Sequence, residues 1–154
     1  MKNNSRLLSM IIMLIGAIGI VLGVVFIAQG YMKKNYLQSA MRVEKITLGN
    51  VHVPNLPADE IIDNAEEAQA AGDTIRQHRR NISPSYVELL GGKHFDPSNP
   101  KQLSYAQALN MENYLYLAVL AFGLIDVVYA SGVFMILAGI GMGCTGILLM
   151  RLNN

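Results

Sequence analysis

Two charge-free runs decide the fold of this chain: Leu7–Met32, LLSMIIMLIGAIGIVLGVVFIAQGYM, and Val127–Met150, VVYASGVFMILAGIGMGCTGILLM. They contain 26 and 24 residues. A helix rises about 1.5 Å per residue, so each run is long enough to cross a hydrocarbon core of ~30 Å. The runs therefore predict two transmembrane helices, one near each end of the chain.

The overall composition agrees with a membrane protein. Of the 154 residues, 52% are hydrophobic and 15% are charged, with a mean hydropathy of +0.32, whereas soluble domains average roughly 25% charged residues. The segment 33–112 between the runs carries nine basic and ten acidic residues. This near-neutral balance gives no reason to expect a nucleic-acid partner.

These features predict an all-α membrane protein in which two transmembrane helices flank a small helical extramembrane segment. The predicted order is a cytoplasmic tail (1–6), transmembrane helix 1 (7–32), the extramembrane helical segment (33–112), a helix extension at the interface (113–126), transmembrane helix 2 (127–150) and a second cytoplasmic tail (151–154).

The first run is expected to be a signal-anchor that is not cleaved. A cleavable signal has an apolar core of about 7–15 residues followed by small residues at the cleavage site, whereas this run is longer and ends in Gln29-Gly30-Tyr31. Basic residues lie on both sides of it, so the positive-inside rule gives conflicting signals. A long connecting segment is translocated largely regardless of its charge, which favours a multi-pass protein of the cell membrane with its central segment extracytoplasmic.

Within the central segment, the sequence predicts a helix from Ala58 to Asn81 and a short helix from Ser85 to Leu90 that Gly91-Gly92 ends. A third helix begins near Lys101 and leads into the second run. Tyr114–Ile125 is also apolar and is separated from that run by Asp126. One interpretation makes it the outer part of a single long helix. The other makes it a third span, with a hinge near Ser131-Gly132; twelve residues are short for a span, so two spans are predicted.

Small residues recur at intervals of seven in both runs. The predicted helix-packing residues are Gly16, Gly19, Gly23, Gly132, Gly139, Gly143 and Gly146. In lipid, such stripes let helix backbones approach closely and gain dispersion contacts. The simplest inference is that the two spans form a helical hairpin through these faces, or that the faces dock on a membrane-protein partner or a second copy of the chain. The alternative is that glycine is merely common in membrane helices.

No catalytic group, cofactor site or metal site is predicted. Asp126 is interpreted as a solvated carboxylate at the membrane interface, paired with Lys33 or Lys34, because neither run contains a second ionisable residue for a proton relay. His94 and Asp96 form the only close pair of potential metal ligands, which is too little for a site. Cys144, the single cysteine, is interpreted as a small apolar residue.

Several short motifs resemble an uncharacterised family of small two-span bacterial membrane proteins that is frequent in actinobacteria. They are Val43–Thr47 (VEKIT), the helix Ala65–His78, Tyr86–Leu89 (YVEL), Asp96-Pro97 and Tyr116–Gly123 (YLAVLAFG). The resemblance implies two spans with an extracytoplasmic helical portion. Some members are labelled aromatic-ring-opening dioxygenases, but this sequence has no recognisable set of iron ligands.

The sequence thus favours a non-catalytic integral membrane protein, in the first place an accessory or scaffold subunit of a membrane complex. The alternative is an extracytoplasmic binding or sensing module anchored by the two helices and using Ala58–Leu90. An apolar pocket with converging polar groups would favour this alternative, whereas solid helical packing would not.

Overall fold

The structure is a computed structural model that describes residues 2–53 and 57–152. In this part of the chain the helices are α1 (Lys2–Glu44), α2 (Ala65–Ile82), α3 (Tyr86–Leu90) and α4 (Pro100–Leu152). The predicted all-α architecture, with two long apolar helices flanking a smaller helical portion, is confirmed. Most of the predicted connection Pro54–Pro57 lies outside the described residues.

The two long helices continue well beyond the apolar runs. With 43 residues in α1 and 53 in α4, they extend into the predicted tails, the interfacial extension and both ends of the predicted extramembrane segment 33–112. Helix α1 ends where Lys45 adopts a left-handed conformation with φ 50°, and α4 begins at Pro100, whose missing N–H is no loss in the first turn. Both are long and apolar enough to cross a membrane.

Helix α4 is uninterrupted at Ser131 and Gly132. The three-span interpretation needs a hinge there, and the described helix has none, since the hydroxyl of Ser131 simply donates to the carbonyl of Val127 one turn earlier, at 2.8 Å. The described helices therefore provide two candidate spans.

The contacts divide the chain into two units. Unit 1 comprises Met1–Lys34 and Leu124–Asn154, and unit 2 comprises Asn35–Gly123. In unit 1 the two helices are antiparallel, because Gly16 faces Gly139 whereas the later Gly23 faces the earlier Gly132. The outer surfaces of this pair are almost entirely apolar and exposed.

Unit 2 has its own hydrophobic core. It consists of Leu48, Val51, Ile62, Ala68, Ala71, Leu115 and Ala118. Three of these residues come from the irregular segment between α1 and α2, where a bridge pairs Thr47 with Ile61. The N–H groups of Leu48 and Ile62 donate to the carbonyls of Glu60 and Ile46, each at 2.9 Å. These bonds satisfy backbone groups that burial would otherwise leave without partners.

The predicted start of the first extramembrane helix at Ala58 is wrong. Helix α2 begins seven residues later, at Ala65, after the segment that pairs with residues 46–49. Asn64 is its N-cap, with a side-chain oxygen that accepts the N–H of Glu67 at 3.0 Å. The carboxylate of Glu67 in turn accepts the N–H of Asp63 at 3.0 Å. The Asn64 cap and the backbone pairing with residues 46–49 therefore place the helix start after the apparent one at Pro57. The predicted short helix after Ser85 is confirmed, and Gly91 is left-handed at its end.

Candidate functional site

The buried face between the helices of unit 1 is built from residues without large side chains. On α1 the buried positions include Ser9, Gly16, Gly23 and Gly30, and on α4 Gly132, Gly139 and Gly146. We call the contact that these residues form the glycine seam. Successive members of each set are seven residues apart, so each set lies along one face of its helix.

The helices approach so closely that backbone lies against backbone. A Cβ atom added to Gly16 would lie 2.7 Å from the carbonyl oxygen of Gly139, and one added to Gly139 would lie 2.5 Å from the carbonyl oxygen of Gly16. Gly23 and Gly132 face each other in the same way, with corresponding distances of 2.6 and 2.8 Å. No larger residue fits at these four positions without moving a helix.

Branched side chains cover the surface that the glycines leave open. The Cγ1 atom of Ile20 would lie 2.7 Å from a Cβ on Gly139, and that of Ile27 would lie 2.8 Å from a Cβ on Gly132. Ile136 covers Gly23 in the same manner. The seam thus combines backbone contact with the packing of isoleucines into the spaces above these three glycines. Such packing supplies the dispersion energy that holds helices together in lipid.

The predicted helix-packing glycines differ in how closely the facing helix approaches them. Gly146 joins the four central glycines in the close contact, since a Cβ there would lie 3.0 Å from the carbonyl oxygen of Ser9. Gly19 is in ordinary contact, 3.5 Å from the carbonyl oxygen of Met135. A Cβ on Gly143 would meet nothing within 4 Å. The spacing of seven therefore identifies the closest contacts, and the spacing of four does not.

Alanine substitution at the seam should lower the stability of the helix pair, whereas alanine substitution away from it should leave the stability unchanged or raise it. In an open helix, Gly→Ala favours the helix by about 1 kcal/mol. Gly139→Ala should instead weaken the packing of the two helices, because its methyl group would overlap the backbone of α1. We expect a lower thermal midpoint for Gly139→Ala in lipid nanodiscs and an unchanged or higher one for the matched control Gly143→Ala. Equal midpoints for the two variants would contradict the seam as described.

The proposed pairing of Asp126 with Lys33 or Lys34 is not present. Asp126 is exposed, and none of the ion pairs in the described part of the chain includes it. His52, His78 and His94 are exposed as well. Among the described residues, no group of three or more His, Cys, Asp or Glu side chains could hold a metal ion.

An ion pair that the sequence analysis did not anticipate joins α2 to α4 in unit 2. Arg79 and Glu112 are only 9% and 6% exposed. The guanidinium Nε donates to Glu112 Oε2 at 2.6 Å, and another of its nitrogens donates to Oε1 at 3.4 Å. Its third nitrogen donates to the hydroxyl of Tyr105. The hydrogen bond with Glu112 raises the pKa of Arg79 above its usual value, so this buried cation stays charged.

A second, more exposed cluster repeats this arrangement about one turn away on α2. The hydroxyl of Tyr116 donates to Asp73 Oδ1 at 2.7 Å, and Arg76 pairs with the same carboxylate. The guanidinium of Arg76 lies 5.1 Å from the centre of the Tyr116 ring, within cation–π range. Burial, followed by the bond to Asp73, raises the pKa of Tyr116 to about 12. The phenol therefore remains a donor at neutral pH.

Loss of the Glu112 carboxylate should destabilise unit 2 because it leaves the Arg79 cation buried and unpaired. We expect Glu112→Gln to cost about 3 kcal/mol, as is typical when one partner of a buried ion pair is removed. The double variant Arg79→Met with Glu112→Leu should recover most of this loss. Amide hydrogen exchange in α2 would measure both effects, with the exposed Glu88→Gln as control. Unchanged protection in Glu112→Gln would show that the pair does not hold α2.

A cavity with a volume of about 740 Å³ also lies in unit 2. We call it the α1–α4 cavity. Its apolar walls include Leu37, Ala40 and Met41 from α1 and Leu115, Leu117 and Ala118 from α4. Polar side chains also line it, namely Glu44, Gln107 and Asn110. Small-molecule sites typically have volumes of about 300–1,000 Å³ and combine apolar walls with a few polar groups.

The region from Ala58 to Leu90, which the alternative of a binding module would use, contributes little to this cavity. Ile62 lines it, but α2 packs against α4 through Ala68, Ala71 and Gly72. The cavity instead depends on the carboxyl end of α1 and on residues 107–118 of α4. Sequence reasoning missed it because its walls come from segments that are far apart in the chain.

No family model matches the chain, and no curated protein or solved structure matches it, so the resemblance to the actinobacterial family stays a prediction.

Proposed function

We propose that this chain is a non-catalytic integral membrane protein in which two spanning helices anchor an extracytoplasmic module that binds a small, largely apolar molecule. The α1–α4 cavity carries this proposal. Its volume of about 740 Å³ and its apolar walls with a few polar groups match the usual character of small-molecule sites. A pocket of this kind was the expected feature of a binding or sensing module. That module was predicted to use Ala58–Leu90, whereas α1 and α4 provide most of this cavity's walls.

The exposure of the long helices supports the membrane anchor. In each helix, only 11% of the most apolar 18-residue stretch is buried. The outward side chains of Leu14, Val21 and Phe134 are 62%, 62% and 71% exposed. A core helix of a soluble protein would bury such residues, and continuous apolar surfaces of this kind normally contact lipid or another protein. The cytoplasmic placement of both ends remains part of the proposal.

A bound small molecule should accompany the protein when it is extracted from its membrane. Ala40 is exposed on the cavity wall, so Ala40→Trp would place an indole inside the cavity and displace the ligand. The neighbouring Ser39 is exposed and does not line the cavity, which makes Ser39→Trp a matched control. Native mass spectrometry should show a discrete adduct on the wild type and on Ser39→Trp, and less of it on Ala40→Trp. The same adducts on all three proteins would contradict the binding function.

An accessory subunit is the second candidate, and a small-residue patch on α4 favours it. The tightest glycines already face each other within the chain, so a partner would need another surface. Gly141 and Thr145 are exposed one turn apart, and the sole cysteine, Cys144, is exposed beside them. A Cβ on Gly141 would meet nothing within 4 Å, so the intramolecular contact gives no reason for glycine there. Small residues one turn apart are typical of helix association in membranes.

Cys144 provides a direct test of self-association through this patch. Mild oxidation of the native protein in its membrane should link two copies through Cys144, giving a dimer that is sensitive to reducing agents. Gly141→Leu should reduce the dimer by holding the second helix away. An undiminished dimer in Gly141→Leu, or none in the wild type, would exclude self-association at this surface.

A further inference from the structure

We infer that the α1–α4 cavity selects an amphiphile with one apolar chain and a protonated amine at its polar end. This inference rests on the proposed binding function and specifies the chemistry of the ligand. It is based on the positions of the polar and apolar side chains along the cavity, and on the single charge among them.

The polar groups of the cavity lie toward one of its ends. Glu44 is the last residue of α1, and Gln107 and Asn110 belong to the second and third turns of α4. Because α1 and α4 are antiparallel, the end of the first helix lies near the beginning of the second. The opposite end of the cavity is formed by residues such as Leu37 and Ala118. A ligand that satisfies both ends is therefore polar at one end and apolar along the rest.

The charge at the polar end is negative. Glu44 is the only charged residue that lines the cavity, and it takes part in none of the ion pairs of the described residues. Of the neighbouring cations, Arg42 is already paired with Asp63, and Lys45 does not line the cavity. A carboxylate without a partner attracts an ammonium group and repels a phosphate or carboxylate. The amides of Gln107 and Asn110 add oxygen atoms that accept hydrogen bonds from an ammonium group.

The walls suit a single flexible chain. Met41 and Met111 both line the cavity, and methionine side chains adapt readily to apolar ligands of varied shape. The cavity is open on the side of Tyr114 and Leu117, which are 66% and 58% exposed. We expect a chain to enter from this side. An alkyl amine is protonated at neutral pH, as the lysine side chain is, so it carries the charge that Glu44 requires.

Photo-crosslinking with matched probes tests this preference. The full chain in phosphatidylcholine nanodiscs would be labelled with dodecylamine, dodecanol and dodecanoate, each carrying the same diazirine in its chain. Labelled positions would be found by mass spectrometry. Labelling of the run 7–32 by probe dissolved in the bilayer serves as the internal reference for dose. Relative to this reference, the amine should label the cavity residues about two- to fivefold more than the alcohol, as expected for an exposed ion pair, and the carboxylate should label them least.

Two variants separate the charge preference from binding itself. Glu44→Gln should remove the advantage of the amine over the alcohol, whereas the exposed Glu66→Gln, outside the cavity, should keep it. If no probe labels the cavity above the reference, the binding function fails, and the ligand assignment fails with it. If all three probes label the cavity equally, or if the amine keeps its advantage in Glu44→Gln, the amine assignment alone is overturned. Ala40→Trp should lower the labelling of the cavity by every probe.

Discussion

Backbone contact at the glycine seam is the constraint on which unit 1 depends. Gly16 against Gly139 and Gly23 against Gly132 fix the register of two antiparallel helices, because a Cβ atom at any of these positions would lie 2.5–2.8 Å from a carbonyl oxygen. Shifting one helix by a residue would replace glycine with a larger residue at each contact. The steps of seven residues on both helices keep the contact on one face, as in left-handed pairs of helices. Ser9 and Gly146 extend the same register by one further step.

The two units are held together internally by different interactions, and the difference follows from their proposed surroundings. Lipid offers no hydrophobic force between apolar helices, so unit 1 relies on close packing and dispersion. Unit 2 buries apolar side chains such as Leu48 and Ile62, for which water supplies the driving force. It also places Arg79 against Glu112 and Tyr105. A buried ion pair adds little net stability compared with apolar residues, but it disfavours other arrangements that would leave a charge unpaired.

Features set by local spacing could be predicted from the sequence, whereas features set by distant pairing could not. The run lengths gave the two long helices, and the sevenfold spacing identified Gly16 and Gly139 as contact residues. The start of α2 was missed because Pro57 followed by acidic residues is typical of a helix start, while the pairing of Thr47 with Ile61 depends on residues 14 positions apart. Asn64 and Glu67 did contain a local signal, a cap followed by an acid three residues later.

The α1–α4 cavity has no local signature, because it is a space left between segments that are far apart in the chain. Ala40 and Ala118 line it, and they are as small as the residues that allow contact at the seam. The difference lies in their neighbours. At the seam, rigid β-branched isoleucines fill the space above Gly23, Gly132 and Gly139. In the cavity, the neighbours are Met41 and Met111, long side chains that partly pack on the core and can change rotamer. Small residues combined with flexible neighbours leave a volume that a ligand can fill with little rearrangement of the protein. The carboxylate of Glu44 then determines which end of that ligand is charged.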